Sequence, residues 1–303
     1  MSLLDRVVSL ALPAVPKPIV RYFSRRYIAG STVEEAFQVV RQITADGAMG
    51  TLDILGEFIA TREQASGCAE AYASLFRRIR DESIRDTNLS VKLTSLGLLL
   101  DREFCLQNMR RLLQLAEETD NFVRIDMEDS SCTSSTLEIY RALRREFPKR
   151  VGIVLQSRLR RTIEDVDRLA AEPCNFRLCK GIYVEPRAIA YCAPEIIRRN
   201  FVLLLERMFE TGAYVGIATH DEMLVWESLR LIRKFGLSAQ QYEFQMLLGV
   251  EEKLRRILLE AGHRLRVYVP FGEHWYPYSV RRLRENPQIA GYAFKAMLRG
   301  NSS

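Results

Sequence analysis

Eight short apolar runs rich in β-branched residues alternate with longer amphipathic segments, and this alternation constrains the fold more than any other feature. The runs are 50–55, 89–93, 122–127, 152–156, 176–180, 214–219, 242–247 and 265–269. A strand followed by a helix, repeated along the chain, predicts a parallel sheet. Eight repeats over roughly 250 residues are typical of a (β/α)8 barrel. An open doubly wound sheet is the alternative, but the first run lacks the Gly-x-Gly-x-x-Gly turn of dinucleotide-binding sheets.

The segments between these runs carry apolar residues at helical spacing, which predicts amphipathic helices. They cover residues 62–84, 103–118, 137–147, 162–171, 195–211, 223–235 and 251–261. A further helix is predicted at 33–43. The expected fold class is therefore α/β, with an N-terminal helical extension over residues 1–46 and a barrel catalytic domain over 47–303. The polar tail after Asn286 is expected to fray.

The formal net charge of +6 is concentrated at the two ends of the chain. Residues 1–30 carry +4 and residues 253–303 carry +7, so the middle of the chain is acidic. A basic surface formed by the two ends would suit peripheral contact with an anionic membrane face. Basic residues form a longer block only around 158–161, so we expect no nucleic-acid partner.

The six cysteines include no Cys-x-x-Cys pair and no histidine at zinc spacing, which indicates reduced thiols and no metal site. Reduced thiols are typical of a cytoplasmic protein. No segment reaches the roughly 20 apolar residues of a membrane-spanning helix. The first fifteen residues are apolar, but Asp5 and Arg6 interrupt the stretch that a signal peptide needs. Two readings stay open for these residues: an interfacial helix at the inner face of a membrane, or a helix packed on the barrel.

Polar residues stand where most of the predicted strands end. They are Lys92, Asp126, Gln156, Lys180, His220, Gln245 and Tyr268. Catalytic groups of barrel enzymes come from the C-terminal ends of the strands, whereas the middles of the strands pack. We therefore expect these seven side chains to converge on one face of the barrel.

The last predicted strand leads through a glycine loop into a helix that opens near Trp275. Tyr278, Arg281 and Arg282 are spaced at i, i+3 and i+4, so they share one face of this helix. Two planar guanidiniums beside a tyrosine suit a small carboxylate, because each guanidinium can bind both oxygens.

These residues resemble, in order and in separation, the motifs of the flavin-dependent proline dehydrogenases. The matching segments are Val91-Lys92-Leu-Thr-Ser, Ile125-Asp126-Met-Glu-Asp, Val154-Leu-Gln156-Ser, Arg177-Leu-Cys-Lys180-Gly181-Ile-Tyr183, Ala218-Thr219-His220-Asp, Tyr242-Glu-Phe-Gln245-Met-Leu247 and Tyr268-Val-Pro-Phe-Gly…Trp275-Tyr-Pro-Tyr278-x-x-Arg281-Arg282. The match spans roughly residues 47–285. No segment resembles an aldehyde dehydrogenase, so the resemblance is to the monofunctional bacterial form.

The resemblance implies a distorted (β/α)8 TIM barrel that holds FAD and oxidises L-proline to Δ1-pyrroline-5-carboxylate. Arg281 and Arg282 would bind the proline carboxylate. Lys92 would lie beside that carboxylate, and Asp126 would lie close to Lys92 and the substrate. Three further residues would form the wall around the pyrrolidine ring: Leu247, Tyr268 and Tyr278.

The resemblance also implies a set of residues along the flavin and its tail. They are Gln156, Arg177, Cys179, Lys180, Gly181, Ile182, Tyr183, Thr219, His220 and Gln245. Glu285, one helical turn beyond Arg282, is grouped with these residues. The resemblance implies that its carboxylate would hold an arginine in place. Electrons would pass to a membrane quinone, and the sequence leaves open whether a pyrroline-5-carboxylate dehydrogenase docks.

The chain departs from the family pattern at two places. The motif after the fourth strand usually reads Gln-Ala-Tyr, whereas this chain has Gln156-Ser157-Arg158. The fifth motif usually has Val and Ala at the positions of Cys179 and Ile182. The added bulk of Ile182 puts the detailed pose of the cofactor in question.

Other functions remain as alternatives. A hydroxyproline dehydrogenase is one, although relatives specialised for that substrate are smaller and more polar at the position of Tyr268. A Schiff-base enzyme with Lys92 or Lys180 as nucleophile is another, but pairing of Lys92 with Asp126 would keep the lysine charged and unreactive. A site made of the three histidines is not expected, because His263 and His274 lie on opposite sides of the last strand.

Overall fold

Eight parallel strands close into a barrel in this computed structural model, which describes residues 17–56 and 59–285. The strands are β1 (Met49–Ile54), β2 (Thr87–Lys92), β3 (Val123–Asp126), β4 (Val151–Gln156), β5 (Asn175–Cys179), β6 (Tyr214–Ala218), β7 (Tyr242–Leu247) and β8 (Leu265–Phe271). Each strand pairs with the next along the chain, and β8 pairs with β1. The predicted (β/α)8 barrel is confirmed.

Within the described residues, two helices precede the first strand, and each strand is followed by a helix on the outside of the barrel. They are α1 (Lys17–Ser24), α2 (Val33–Ala45), α3 (Arg62–Asp81), α4 (Arg102–Glu118), α5 (Ser130–Glu146), α6 (Thr162–Leu169), α7 (Pro194–Glu210), α8 (Glu222–Lys234), α9 (Glu252–Glu260) and α10 (Trp275–Glu285). The predicted fate of the first fifteen residues and of the tail after Asn286 lies outside the described residues.

One predicted helix boundary was wrong. The sequence predicted a start at residue 137, whereas α5 begins at Ser130. The preceding Ser- and Thr-rich stretch reads as a loop, because hydroxyl side chains compete for backbone hydrogen bonds. Here Asp129 caps the helix by accepting the backbone N–H of Ser131, and Thr133 and Thr136 are buried against the barrel.

Alternation along each strand separates two cores. On β2, Leu89 and Val91 face outward and are fully buried beneath the surrounding helices. The intervening residues Ser90 and Lys92 face the barrel interior, where they meet side chains from other strands. The outer layer is thus apolar and supplies the hydrophobic stabilisation, while the interior carries the polar residues.

The lower part of the barrel interior is filled by an ion pair. Glu243 on β7 accepts hydrogen bonds from Arg266 Nε (2.8 Å) and Nη2 (3.1 Å), from the Tyr214 hydroxyl (2.9 Å) and from Gln245 Nε2 (2.5 Å). Arg266 in turn donates to the carbonyl of Gly50 (2.6 Å). Burial alone would raise the pKa of Glu243, but Arg266 and Tyr214 hold it at about 2. Buried charges are tolerated when they are paired and hydrogen-bonded in this way.

The N-terminal segment is held by the last strand and by the loop that follows β7. The N–H of Ala29 donates to Pro270 O (2.9 Å), and the Arg26 guanidinium donates to Gly249 O (2.8 and 3.1 Å). Gly249 has a positive φ of 71°, and a Cβ there would lie 1.9 Å from Arg26 O, so only glycine fits this approach. The segment therefore forms part of the C-terminal end of the barrel.

Glu243→Gln should destabilise the protein at neutral pH by about 3–5 kcal/mol, because Arg266 would keep its buried charge without a counter-ion. The depressed pKa of Glu243 contributes stability above its ordinary value of 4.5, and this contribution is lost as pH falls towards about 2. Stability of the wild type should therefore fall between pH 5 and 2 by roughly 3 kcal/mol more than that of the variant. Urea unfolding over this range measures both effects.

Glu206→Gln is the matched control, because Glu206 forms a partly exposed pair with Lys234 on the protein surface. Its loss should change stability by less than about 1 kcal/mol. Parallel acid curves for the wild type and Glu243→Gln would show that Glu243 is not held ionised by the barrel.

Candidate active site

A cavity of about 730 Å³ opens at the C-terminal ends of the strands. Fourteen of the residues predicted from sequence line it: Lys92, Asp126, Gln156, Arg177, Cys179, Lys180, Gly181, Ile182, Tyr183, His220, Gln245, Leu247, Tyr268 and Tyr278. The volume lies within the range of small-molecule and cofactor pockets. The strand-end residues thus converge on one face of the barrel.

Four predicted site residues do not appear in this lining. Thr219 is buried, and its hydroxyl accepts the backbone N–H of Asp221 (3.1 Å), so it shapes the loop after β6. The side chains of Arg281, Arg282 and Glu285 lie outside the described part of the structure. Their backbone belongs to α10, and helical spacing puts positions 278, 281 and 282 on one face.

Lys92 pairs with Asp53, and the predicted pairing with Asp126 was wrong. Lys92 Nζ donates to both carboxylate oxygens of Asp53, at 2.7 and 2.8 Å. Asp53 lies on β1 with only 1% of its side chain exposed. Lys92 and Asp126 are register neighbours on β2 and β3, so Asp126 acts on the lysine through its charge.

The pair is held as an ion pair at neutral pH. Burial lowers the pKa of Lys92, but the negative charges of Asp53 and Asp126 outweigh it, and the net pKa is raised. Burial also raises the pKa of Asp53, while the Lys92 charge opposes this rise and Asp126 adds to it. Two short contacts to one ammonium are those of a carboxylate, so we assign Asp53 as ionised.

A second cluster joins the four strands β2, β3, β5 and β8. Arg177 Nη1 donates to Asp126 Oδ1 (2.7 Å), and the Tyr268 hydroxyl donates to Asp126 Oδ2 (2.9 Å). Arg177 Nη2 donates to Ser90 Oγ (3.0 Å), and its guanidinium stacks on the Tyr268 ring with a centroid distance of 5.5 Å. Burial, followed by the charge of Asp126, raises the pKa of Tyr268 well above 10, so the phenol stays protonated. The Tyr268 ring is therefore fixed across the cavity.

The β4–β5 side of the cavity presents groups suited to a large ligand. Gln156 Nε2 donates to Glu128 O (2.7 Å), whereas Gln156 Oε1 is buried and has no partner among the described residues. Gly181 has a positive φ of 92°, and a Cβ there would lie 2.6 Å from that oxygen. Glycine thus leaves space beside an acceptor that lacks a donor.

The two departures at Cys179 and Ile182 keep this wall apolar. Burial raises the pKa of the Cys179 thiol to about 11, so it stays protonated at neutral pH and behaves as a small apolar group. Ile182 lines the same cavity. Neither departure adds a charge.

Strand ends β5, β6 and β7 are tied together by side chains of the site. His220 Nε2 accepts the backbone N–H of Leu247 (2.8 Å), so that nitrogen carries no proton. Lys180 Nζ and Arg198 Nε both donate to Asp221 Oδ2, at 3.1 and 2.7 Å. Gln245 is turned towards Glu243 in the barrel interior, so the lower ion pair sets the orientation of a cavity residue.

The sequence prediction missed three residues of the cavity lining that bear on its chemistry: Tyr27, Asp53 and Arg158. Asp53 could have been found, because it is an acidic residue within an apolar strand. Tyr27 belongs to the N-terminal extension, and its position depends on contacts distant in sequence. Arg158 was seen only as a departure from the family motif. Within residues 17–56 and 59–285, no cluster of His, Cys, Asp and Glu could hold a metal ion.

Comparison with known sequences identifies relatives over almost the whole chain. The profile of the family described as Proline dehydrogenase matches residues 36–293. Proline dehydrogenase 1 of Bacillus subtilis subsp. natto is 37% identical over 279 residues, which are 92% of each chain. Proline dehydrogenase of Deinococcus radiodurans is 36% identical over 281 residues, covering 91% of this chain and 90% of that protein.

Solved structures give the same architecture. Proline utilization A from Bdellovibrio bacteriovorus, inactivated by N-propargylglycine, superposes with a TM-score of 0.82 at 26% identity over 87% of this chain. Proline utilization A from Corynebacterium freiburgense gives a TM-score of 0.77 at 20% identity over 96% of this chain, a likeness of fold. This chain spans about a third of each of those polypeptides, 32% and 33%.

Lys92→Met should destabilise the protein by about 3–5 kcal/mol, because it leaves the buried Asp53 carboxylate without its cation. The double variant Asp53→Asn, Lys92→Met removes both charges and should recover a large part of this loss. Urea unfolding of the wild type, the single variants Lys92→Met and Asp53→Asn, and the double variant gives the coupling energy of the pair. A double variant no more stable than Lys92→Met alone would contradict the ion pair seen at the top of the barrel.

Proposed function

Because this chain belongs to the proline dehydrogenase family, we propose that it oxidises L-proline to Δ1-pyrroline-5-carboxylate with FAD as the electron acceptor. The observation that carries the proposal is the cavity in which the Asp53–Lys92 pair and the Asp126–Arg177–Tyr268 cluster converge below α10. A carboxylate-bearing cyclic amine needs a cationic site, a ring-shaped wall and a redox cofactor, and no nucleophile.

The residues of the β4–β5 side fit a flavin dinucleotide. Gln156 Oε1 is a buried acceptor that requires a donor, and a flavin ring carries an N–H. Gly181 leaves space beside it, and Arg177 and Lys180 line this side, where Lys180 and Arg198 share the one carboxylate of Asp221 and so leave a net positive charge. When bound, FAD accepts the two electrons and the hydrogen that leave the carbon next to the substrate nitrogen. Positive charge near the flavin favours its reduced, anionic form.

The substrate side is assigned to the residues nearest α10. We assign the carboxylate of proline to Arg281 and Arg282, with Lys92 as the third cation, and the pyrrolidine ring to the wall of Leu247, Tyr268 and Tyr278. The Tyr268 ring is held by Asp126 and Arg177, so it presents a fixed apolar face. Orientation by fixed groups is the main contribution that a protein makes to such a reaction.

The proton of the substrate nitrogen goes to an acceptor. The raised pKa values of Lys92 and Tyr268 keep both groups protonated at neutral pH. Asp53 and Asp126 are the carboxylates in the cavity lining, but Asp53 is 1% exposed and its two oxygens bind Lys92, whereas Asp126 is 13% exposed. We therefore assign proton transfer, directly or through water, to an Asp126 oxygen.

The electron acceptor is proposed to be a membrane quinone. No helix among the described residues is long and apolar enough to cross a membrane. The basic ends of the chain support peripheral contact with an anionic bilayer, at about 1 kcal/mol per basic side chain near the surface. Flotation with anionic liposomes at low and high salt tests this contact. Binding should be lost at high salt, and binding that is equally strong at both salt concentrations would contradict the electrostatic contact. A separate pyrroline-5-carboxylate dehydrogenase is the natural consumer of the product.

The two alternatives are less well supported. A Schiff-base mechanism needs an uncharged lysine, whereas Lys92 is held charged by Asp53 and Lys180 is paired with Asp221. Borohydride trapping with a keto acid would reveal such an adduct. A hydroxyproline substrate would bring its hydroxyl against the fixed Tyr268 ring, which favours proline by up to about a hundredfold.

The purified protein should be yellow, and its flavin absorbance should bleach when L-proline is added without oxygen. A soluble quinone should then restore the colour. D-Proline is the control, because its carboxylate and reacting carbon cannot both meet the same fixed groups. A colourless protein that binds no flavin, or a flavin that L-proline leaves oxidised, would refute the proposed function.

Arg281→Ala or Arg282→Ala should raise the KM for L-proline by about tenfold to a hundredfold, since a charge-assisted pair contributes roughly 1.5–3 kcal/mol. Flavin content and thermal stability should stay at the wild-type level. Arg256→Ala on α9 is the control, because Arg256 is exposed on a neighbouring helix. A wild-type KM in both variants would remove these arginines from the substrate site.

A further inference from the structure

Four Lys and Arg side chains line the cavity among the described residues, and three of them are paired with carboxylates. Lys92 pairs with Asp53, Arg177 with Asp126, and Lys180 with Asp221, which Lys180 shares with Arg198. Each of these three cations therefore has a counter-ion before a ligand arrives.

Arg158 is the exception. Within the described ranges, no carboxylate oxygen lies within 4.0 Å of its guanidinium. Its Nη1 donates to the backbone carbonyl of Tyr183 (2.6 Å), and its Nε is buried without a hydrogen-bond partner. A half-buried charge that faces a cavity and has no counter-ion is unfavourable unless an anion occupies the cavity.

Arg158 lies on the loop that follows β4 and lines the cavity. Its backbone N–H donates to Lys180 O (2.9 Å), and its carbonyl accepts the N–H of Tyr191 (2.8 Å). The positive φ of Gly181 brings the backbone close, and a Cβ at Gly181 would lie 3.3 Å from the Arg158 Cβ. Arg158 thus lies beside Gly181, as Gln156 does, and belongs to the part of the cavity formed by the loops after β4 and β5.

We propose that Arg158 binds a phosphate group of the dinucleotide cofactor, and so provides an anionic anchor that the family motif, with tyrosine at this position, does not supply. The inference rests on the proposed function, because it takes FAD as the cofactor. The Nε and Nη2 groups of Arg158 have no hydrogen-bond partner among the described residues, and two N–H groups in one plane match two phosphate oxygens. Within FAD only the pyrophosphate offers such an anion, because the isoalloxazine and the ribityl chain carry no phosphate.

A purely structural role for Arg158 makes a different prediction. If its task is only to shape the loop through the Tyr183 carbonyl, then its replacement should affect ligands with and without phosphate equally. Arg158→Gln keeps an N–H donor and removes the charge. Arg158→Lys keeps the charge and loses the planar fork. The two variants therefore separate loop positioning from anion binding.

The test titrates the full-length chain, freed of flavin, with FAD and with riboflavin, and follows flavin fluorescence. Arg158→Gln should raise the Kd for FAD by roughly tenfold to a hundredfold and leave the Kd for riboflavin unchanged. Arg158→Lys should lie between the wild type and Arg158→Gln for FAD. Arg160→Gln is the matched control, because Arg160 lies on the same loop but is exposed and stacks on the Tyr191 ring at 4.4 Å.

An unchanged Kd for FAD in Arg158→Gln would overturn the proposal. Equal weakening of FAD and riboflavin would also overturn it, because that result assigns Arg158 to loop positioning. If Arg158→Gln does not fold, the Arg158→Lys chain decides alone: a FAD-specific loss supports the anchor, and no loss or an equal loss refutes it. A wild-type chain that binds no FAD would instead refute the proposed function, so the two failures are distinguishable.

Discussion

The compensation of charge inside the closed barrel is the constraint on which the rest of this structure depends. Barrel interiors are usually filled by branched apolar side chains, but here the interior positions carry Glu243, Arg266, Arg177, Asp126 and Lys92. An unpaired charge in such a place costs several kcal/mol. Each of these acids is therefore matched by a base on another strand, and the pairs join the strands across the barrel interior. Arg124 on β3 is also buried in the interior without a carboxylate within 4.0 Å among the described residues, and it donates instead to the backbone and side-chain oxygens of Asn175.

The two levels of this interior have different tasks. At the lower level, Glu243 accepts four hydrogen bonds. Glu243 and its partners Arg266 and Gln245 are all buried, so we interpret this level as structural. At the upper level, Lys92 and Tyr268 are anchored on one side and open to the cavity on the other. Gln245 joins the levels, because its amide is oriented by Glu243 while it lines the cavity. The side chains of the proposed active site are thus held in place by other side chains of the barrel, Lys92 by Asp53, Tyr268 by Asp126 and Gln245 by Glu243.

The sequence predicts the fold well because strand and helix periodicity are local properties, and parallel strands of a barrel must end at one face. That argument found Lys92, Asp126 and Tyr268. It did not find the partner of Lys92, because the choice between Asp53 and Asp126 depends on how strands β1 to β3 are staggered. Arg158 and Tyr27 lie on connections whose course is set by contacts distant in sequence, such as that of Arg26 with Gly249. Loop geometry of this kind has no periodic signal.

The side of the cavity next to α10 depends on contacts with the N-terminal segment. Tyr27 lines the cavity and packs with Ile28, Leu55 and Tyr278 in a small apolar cluster. Arg21 on α1 lies over the ring of Trp275, the first residue of α10. The helix that carries the proposed carboxylate-binding arginines therefore rests on residues about 250 positions earlier in the chain, with the whole barrel between them in sequence. Because a helix is a rigid unit, the same packing that buries Tyr278 also fixes the position of the α10 backbone that carries residues 281 and 282.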